Sequence, residues 1–354
     1  MSQGERVGRY SDVASALALR SDRQLAGLLE QAQVLGSGIG GTSVLLDIAG
    51  VPVFAKRVPL TDVERHADNV MSTANLFGLP PFCQYGVGSP SFGAWRELAA
   101  HVMTTNWVLA GRSAAFPLLY HWRMLSGAPP PTEEHADIEA VVRYWDGSPA
   151  VRRRLHALAR ASAGIVLFQE FIPHNLDDWL AAQLAAGQDA AVAACAMVES
   201  CLTADVAFMN AHGLMHFDAH FGNILTDGRR LYIADFGLAT SPRFDLSPQE
   251  IGFLERNGTH DRSYALMRLV NWLVTNVCGV ATPREGGPVQ RNEYIRACAA
   301  GADPAGAPPA AAAVIRRYAP VAAAMNDFYW ELFGVDRATP YPGEKVGHIL
   351  SAMR

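Results

Sequence analysis

Three oxygen-bearing side chains fall in one stretch of this sequence. Asp218 and Asn223 lie within His216-Phe217-Asp218-Ala219-His220-Phe221-Gly222-Asn223, and Asp235 heads Asp235-Phe236-Gly237. Ile224-Leu225, an Asp227-Gly228 turn and a strand expected over residues 231–234 separate the two groups. A carboxylate and an amide oxygen are hard ligands of the kind magnesium prefers, so Asn223 and Asp235 make a candidate metal pair. Asp218 is then available to accept a hydrogen bond from an acceptor hydroxyl. An alcohol is too weak an acid to be deprotonated early, so the expected work of Asp218 is alignment, with proton capture late. The chemistry such a set serves is phosphoryl transfer, in which charge spread over the moving oxygens must be met by a metal and fixed cations. Singly, Asp and Asn are more often turn residues than catalysts; it is the ordered trio that reads as a site.

A fixed cation has a candidate upstream. Leu35-Gly36-Ser37-Gly38-Ile39-Gly40-Gly41 joins two predicted strands rather than a strand and a helix, which points to a flap whose amides approach phosphates rather than to a dinucleotide turn. Lys56, on the next strand in Val53-Phe54-Ala55-Lys56, carries an ammonium suited to the inner phosphates of a nucleotide. A buried lysine needs a carboxylate. Glu97, in the helical Trp95-Arg96-Glu97-Leu98, is the first choice because a helix packed on the sheet brings it to Lys56; Glu64 is the second, being nearer in sequence.

In their order these motifs resemble the protein-kinase-like superfamily, which includes protein kinases and the aminoglycoside and choline phosphotransferases; they thread from residue 34 to 275. The resemblance implies an α+β, bilobal fold, with a small antiparallel β-sheet lobe carrying a helix and a larger, mainly helical lobe. It implies that Gly36, Gly38 and Gly41 cover the phosphates of ATP and that Lys56 pairs with Glu97. It also implies that Asp218 orients the acceptor, that Asn223 and Asp235 hold Mg2+, and that Gln169, Glu170, Phe171 and Ile172, after Phe168, form the hinge that meets adenine. The expected activity is transfer of the γ-phosphate of ATP to a hydroxyl, leaning to Ser/Thr of a protein or peptide. The alternatives are a small-molecule phosphotransferase, acting on an antibiotic or metabolite, and a nucleotide-binding pseudokinase scaffold.

Some positions depart from the protein-kinase pattern. Phe217 replaces the arginine that reads a phosphorylated activation loop, so activity is expected to be constitutive, and His220 stands where serine/threonine kinases commonly have lysine. No Ala-Pro-Glu follows Asp235-Phe236-Gly237 in the downstream segment. Residues 244–261 are therefore the expected acceptor surface, with Asp245, Glu250, Glu255 and Asp261 offering negative charge to a cationic acceptor.

The elements that must hold these groups divide into three parts. Residues 1–33 read as a helical extension, with Val13, Leu17, Leu19, Leu25, Leu28 and Leu29 at mostly helical spacing predicting one amphipathic helix over 11–33. Residues 34–172 form the sheet-bearing lobe, with short β-prone runs, a helix over 94–109, strands over 116–125 and 165–168, and Gly/Pro-rich insertions near 59–93 and 126–164. Residues 173–354 form the helical lobe, with long apolar faces over 178–184, 190–211, 263–277 and 314–333. A chain of 354 residues suits two units.

Half of the residues are hydrophobic and 18% are charged, which is globular composition, and a net charge of -5 gives no general attraction to nucleic acid or anionic membrane. The five cysteines form no C-x-x-C pair, no signal segment opens the chain, and charged residues or proline interrupt the alanine-rich runs short of the ~20 residues that span a bilayer. A cytoplasmic location with reduced thiols is expected.

Overall fold

The computed structural model describes residues 3–38, 41–86, 88–129, 132–283 and 287–353. The chain is of the α+β class and divides into two compact units. One takes the chain through Ile172 together with His216–Asp218 and Tyr232–Ile251; the other takes Pro173–Met215, Ala219–Leu231 and the chain from Gly252 onward.

The first unit opens with two helices, α1 (Gln3–Ala18) and α2 (Asp22–Glu30), where hydrophobic spacing predicts one. The break follows from a capping box. The Ser21 hydroxyl accepts from the Gln24 amide at 3.3 Å, and the Gln24 side chain accepts from the Ser21 amide at 2.9 Å, so a new helix starts there.

Strands β1 (Gln33–Gly38), β2 (Gly41–Ile48), β3 (Val51–Leu60), β4 (Leu119–Ser126) and β5 (Ala163–Glu170) form an antiparallel sheet in the order β1-β2-β3-β5-β4. β5 has a partner on each side and is buried along its whole length, which accounts for its unbroken apolar run. Ala49 and Gly50 both have positive φ (54° and 77°), giving the two-residue turn whose twist matches a tight hairpin.

The β1–β2 hairpin carries the glycine-rich loop, with Gly38 paired to Gly41; Ile39 and Gly40 lie outside the described residues, as do Val87, Pro130 and Pro131 of the two insertions. Gly41 is required by geometry, since it has φ +117° and a Cβ there would sit 2.0 Å from the Arg57 carbonyl oxygen. Around Gly38 no atom of the described residues beyond its chain neighbours lies within 4 Å of such an atom.

A short helix α3 (Asp62–Arg65) and the long helix α4 (Ala94–Leu109) follow β3. Ala94, Trp95 and Leu98 of α4 pack on Val58 and Leu60 of β3, Leu119 of β4, and Ile165 and Leu167 of β5. The two insertions, separate in sequence, share one core. Phe77, Leu79, Cys83 and Phe92 from the first pack with Val142, Trp145, Val151 and Leu155 from the second, which forms helices α5 (Ile138–Tyr144) and α6 (Pro149–Ala159); Leu238 completes the cluster.

The second unit begins at β6 (His174–Asn175), which pairs with β7 (Ile224–Thr226), and holds α7 (Leu176–Ala186) and α8 (Gln188–Ala211). β8 (Leu231–Ile233) and α9 (Pro248–Arg256) each straddle the division. Helices α10 (His260–Trp272), α11 (Val289–Ala299), α12 (Pro309–Gly334) and α13 (Gly343–Ala352) complete it. α8 and α12 both pack on α10, where Asn271 and Asn326 exchange two amide hydrogen bonds of 2.9 Å inside the core. Contrary to the reading of interrupted apolar runs, α8 is long and apolar enough to cross a membrane by length and composition; 33% of that window is buried within the protein.

Gly41→Ala is expected to cost about 2 kcal/mol or more in urea denaturation, because both the carbonyl contact and the left-handed backbone oppose a side chain. Gly38→Ala is expected to change stability by no more than about 1 kcal/mol, and equal losses at the two positions would contradict the hairpin geometry.

Candidate functional site

Strand periodicity places Lys56 on the same face of β3 as Val58 and Leu60, the face that packs against α4. On α4, Ala94, Glu97, Leu98, His101 and Thr105 are all buried at i, i+3, i+4, i+7 and i+11, so Glu97 belongs to the stripe that meets the sheet. The two faces bring Lys56 Nζ to 2.9 Å from Glu97 Oε1. The same ammonium donates to Asp235 Oδ1 at 2.7 Å. A lysine, a helix carboxylate and a loop carboxylate from three distant parts of the sequence thus share one buried cation.

The electrostatics follow from this. Burial opposes the Lys56 charge, yet the two adjacent carboxylates outweigh it and raise its pKa. Packing around the Asp235 carboxyl favours the neutral acid, but the Lys56 charge and hydrogen bond hold its pKa down at about 2, so it is ionised at any working pH. Glu97 moves the other way: its burial, reinforced by the Asp235 charge, exceeds the pull of Lys56 and raises its pKa. Asp235 also remains the more accessible acid, with 41% of its side chain exposed against 2% for Glu97. An ionised, accessible carboxylate beside a fixed ammonium has the charge and oxygen chemistry that a divalent ion bound to phosphate would require.

The loop carrying Asp218 is held in a strained form. Phe217 and Asp235 both lie in the left-handed region, at φ 63° and 59°. His216 joins the two turns: its Nε2 donates to the Ala234 carbonyl at 2.9 Å and its Nδ1 accepts from the Asp218 amide at 3.3 Å, which fixes a neutral ring as a brace. Asp218 faces Gly86, whose φ is +88°; a Cβ at that position would lie 3.0 Å from Asp218 Oδ1, so a side chain there would crowd the carboxylate. The Phe236 ring stands between His101 (4.9 Å between ring centres) and His216 (5.2 Å). Burial and the Lys56 charge push the pKa of His101 down to about 3, so this imidazole is neutral filling.

Glu64 does not reach Lys56. Its Oε2 accepts from the Thr61 amide and hydroxyl and from Arg154 Nη1 (2.8 Å), and its Oε1 accepts from the Ala94 amide at the start of α4 (2.9 Å). Thr61-x-x-Glu64 is a capping box, a signal present in the sequence that marks Glu64 as an end group. Arg96, next to Glu97, forms a second buried ion pair with Glu250 at 2.8 Å, without hydrogen-bond alignment. The helix that presents Glu97 is therefore tied to the second insertion through Arg154 and to α9 through Glu250. Gln84 donates to the Leu238 carbonyl (2.8 Å) and Ser91 to that of Gly237 (3.0 Å), so the first insertion holds the segment after Asp235.

The remaining expected residues are placed as follows. Gln169 and Glu170 end β5, and Phe171 and Ile172 follow them. The Glu170 carboxylate is taken by Arg6 of α1, at 2.5 and 3.0 Å, and accepts from the Leu118 amide at 3.2 Å. Gly36 sits on β1. Asn223 belongs to the second unit, in a turn where its amide donates to the His220 carbonyl at 2.8 Å. The acidic surface over 244–261 is halved: Glu250 is buried against Arg96, and Asp261 is buried and accepts from Asn210 at 2.8 Å, while Asp245 and Glu255 are exposed. Carboxylates enter an interior only with such partners.

No family model and no curated protein matches this chain.

Arg154→Met is expected to destabilise the protein by about 3–5 kcal/mol, because it strands the buried Glu64 carboxylate. Adding Glu64→Gln should cost less than the sum of the single changes by about 1 kcal/mol or more, read in a urea double-mutant cycle. Strict additivity would show that the pair does not couple α6 to α4.

Proposed function

We propose that this protein is an ATP- and magnesium-dependent phosphotransferase with a bilobal protein-kinase-like fold. The observation that carries the proposal is the single buried ammonium of Lys56 bonded to both Glu97 and Asp235. A purely structural core gains little from burying one cation between two acids, since an apolar replacement is often as stable. A phosphate site needs this arrangement: the lysine is fixed in direction by the helix acid, and the loop acid is ionised and accessible for metal.

In this reading the glycine hairpin covers the phosphates, Lys56 meets their charge, and Asp235 would hold magnesium. The metal supplies neutralisation of phosphate charge when bound. Asp218 orients the acceptor hydroxyl and takes its proton late. The segment ending at Ile172 meets the adenine through its backbone, while the Glu170 side chain is engaged by Arg6. The acceptor is read as a hydroxyl of a protein or peptide Ser/Thr, with a small-molecule alcohol as the other substrate class.

The test is incubation of the full chain with γ-labelled Mg-ATP and a lysate separated into protein and small-molecule fractions. Label is expected in one fraction, and Asp218→Ala is expected to lower transfer by about 10²-fold or more. Transfer at full rate by Asp218→Ala, or absence of label from both fractions, would contradict the proposal.

A further inference from the structure

The second unit contains a cavity of about 350 Å³ that none of the residues discussed above lines, apart from Asn326. Arg291 and Asn292 of α11 form one wall; Asn326, Tyr329, Trp330 and Phe333 of α12 form the other. Its volume is that of a small-ligand site.

Arg291 is the one charged residue among the described residues of the lining. Among the described residues no carboxylate lies within ion-pair distance of it, and its buried Nε has no hydrogen-bond partner. Among the described residues its Nη2 reaches only the Asn292 amide oxygen, at 3.3 Å. Burial, with repulsion from the neighbouring Arg268, pushes its pKa down to about 10. The fully buried arginines of this chain are matched to acids, Arg6 to Glu170, Arg96 to Glu250 and Arg154 to Glu64, whereas Arg291, among the described residues, shares a buried Nε without a hydrogen-bond partner with the half-buried Arg57, Arg262 and Arg268; of these four it is the one that lines the cavity. A guanidinium presents a planar fork that fits a carboxylate or phosphate in two parallel hydrogen bonds.

The facing wall supplies flat apolar surface. The Tyr329 and Phe333 rings stack at 5.5 Å with 21° between planes, and the Tyr329 hydroxyl is anchored to His260 Nε2 at 2.8 Å. Trp330 is 44% exposed, a large aromatic left open at the cavity. Asn326 is already engaged by Asn271, so it offers shape rather than a hydrogen bond.

We propose that this cavity binds a small anionic ligand, a carboxylate or phosphate carried on a flat apolar body, with Arg291 taking the anion and Trp330 and Phe333 taking the body. The site is built wholly within the second unit, uses none of the residues assigned to phosphoryl transfer, and stands or falls independently of that activity.

The experiment is calorimetric titration of the full chain with benzoate, phenyl phosphate and the neutral benzamide, accompanied by tryptophan fluorescence. At least one of the two anions is expected to bind and benzamide to bind at least about tenfold more weakly, and which anion is preferred distinguishes carboxylate from phosphate as the natural group. Arg291→Gln should weaken the anion by at least about tenfold with circular dichroism unchanged, and Trp330→Phe should remove most of the fluorescence response. Equal binding of benzamide, no binding of either anion, or undiminished affinity in Arg291→Gln would overturn the proposal. The comparison of benzoate with benzamide uses the unaltered protein, so it decides the matter even if a variant folds poorly.

Discussion

One ammonium shared by two carboxylates governs the first unit. Lys56 is buried, and a buried lysine stays charged only where its surroundings supply compensating charge in fixed positions. That requirement sets the relation of three segments at once: β3 must present Lys56 to the face covered by α4, α4 must enter with Glu97 on its inner stripe, and the turn at Asp235 must be strained enough to aim its carboxylate inward. The cluster splits two chemically similar acids into different roles. Glu97 is sealed and fixes the lysine, while Asp235 is partly open and firmly ionised.

The parts of the chain that look like digressions serve this cluster. The two insertions fold together around Phe77, Phe92, Trp145 and Leu155, and their shared core reaches the turn at Leu238. Through Arg154 and Glu64 the same core reaches the amide that starts α4. On the other flank Arg96 anchors α4 to Glu250. Buried ion pairs thus hold this helix at its amino-terminal end.

Much of this was legible in the sequence, and the limits have physical causes. The extent of α4, the hairpin at the glycine-rich loop and the inward face of Lys56 are written in local periodicity and turn chemistry, which a single sequence carries. The paired partner of Lys56 needed only the argument that a helix stripe meets a strand face. Two capping boxes, Ser21-x-x-Gln24 and Thr61-x-x-Glu64, were equally visible, and reading them gives both the break between α1 and α2 and the duty of Glu64. Glu250 and Asp261 were beyond reach, because an acid on a predicted helix looks solvated until the arginine or asparagine that buries it is known. The common core of the insertions, and the charge of Arg291, unmatched among the described residues, are likewise products of packing between segments far apart in the chain.

The central claim is that Asp235, held ionised by Lys56, is the metal side of a nucleotide-phosphate site. Calorimetric titration of the full chain with ATP, in excess magnesium and in EDTA, on the natural protein and on Asp235→Asn, addresses it most directly. The account predicts tight binding only with magnesium and the natural carboxylate, weakened by about tenfold or more when either is removed. Affinity that is the same in all conditions, or no measurable binding of ATP with magnesium, would contradict it.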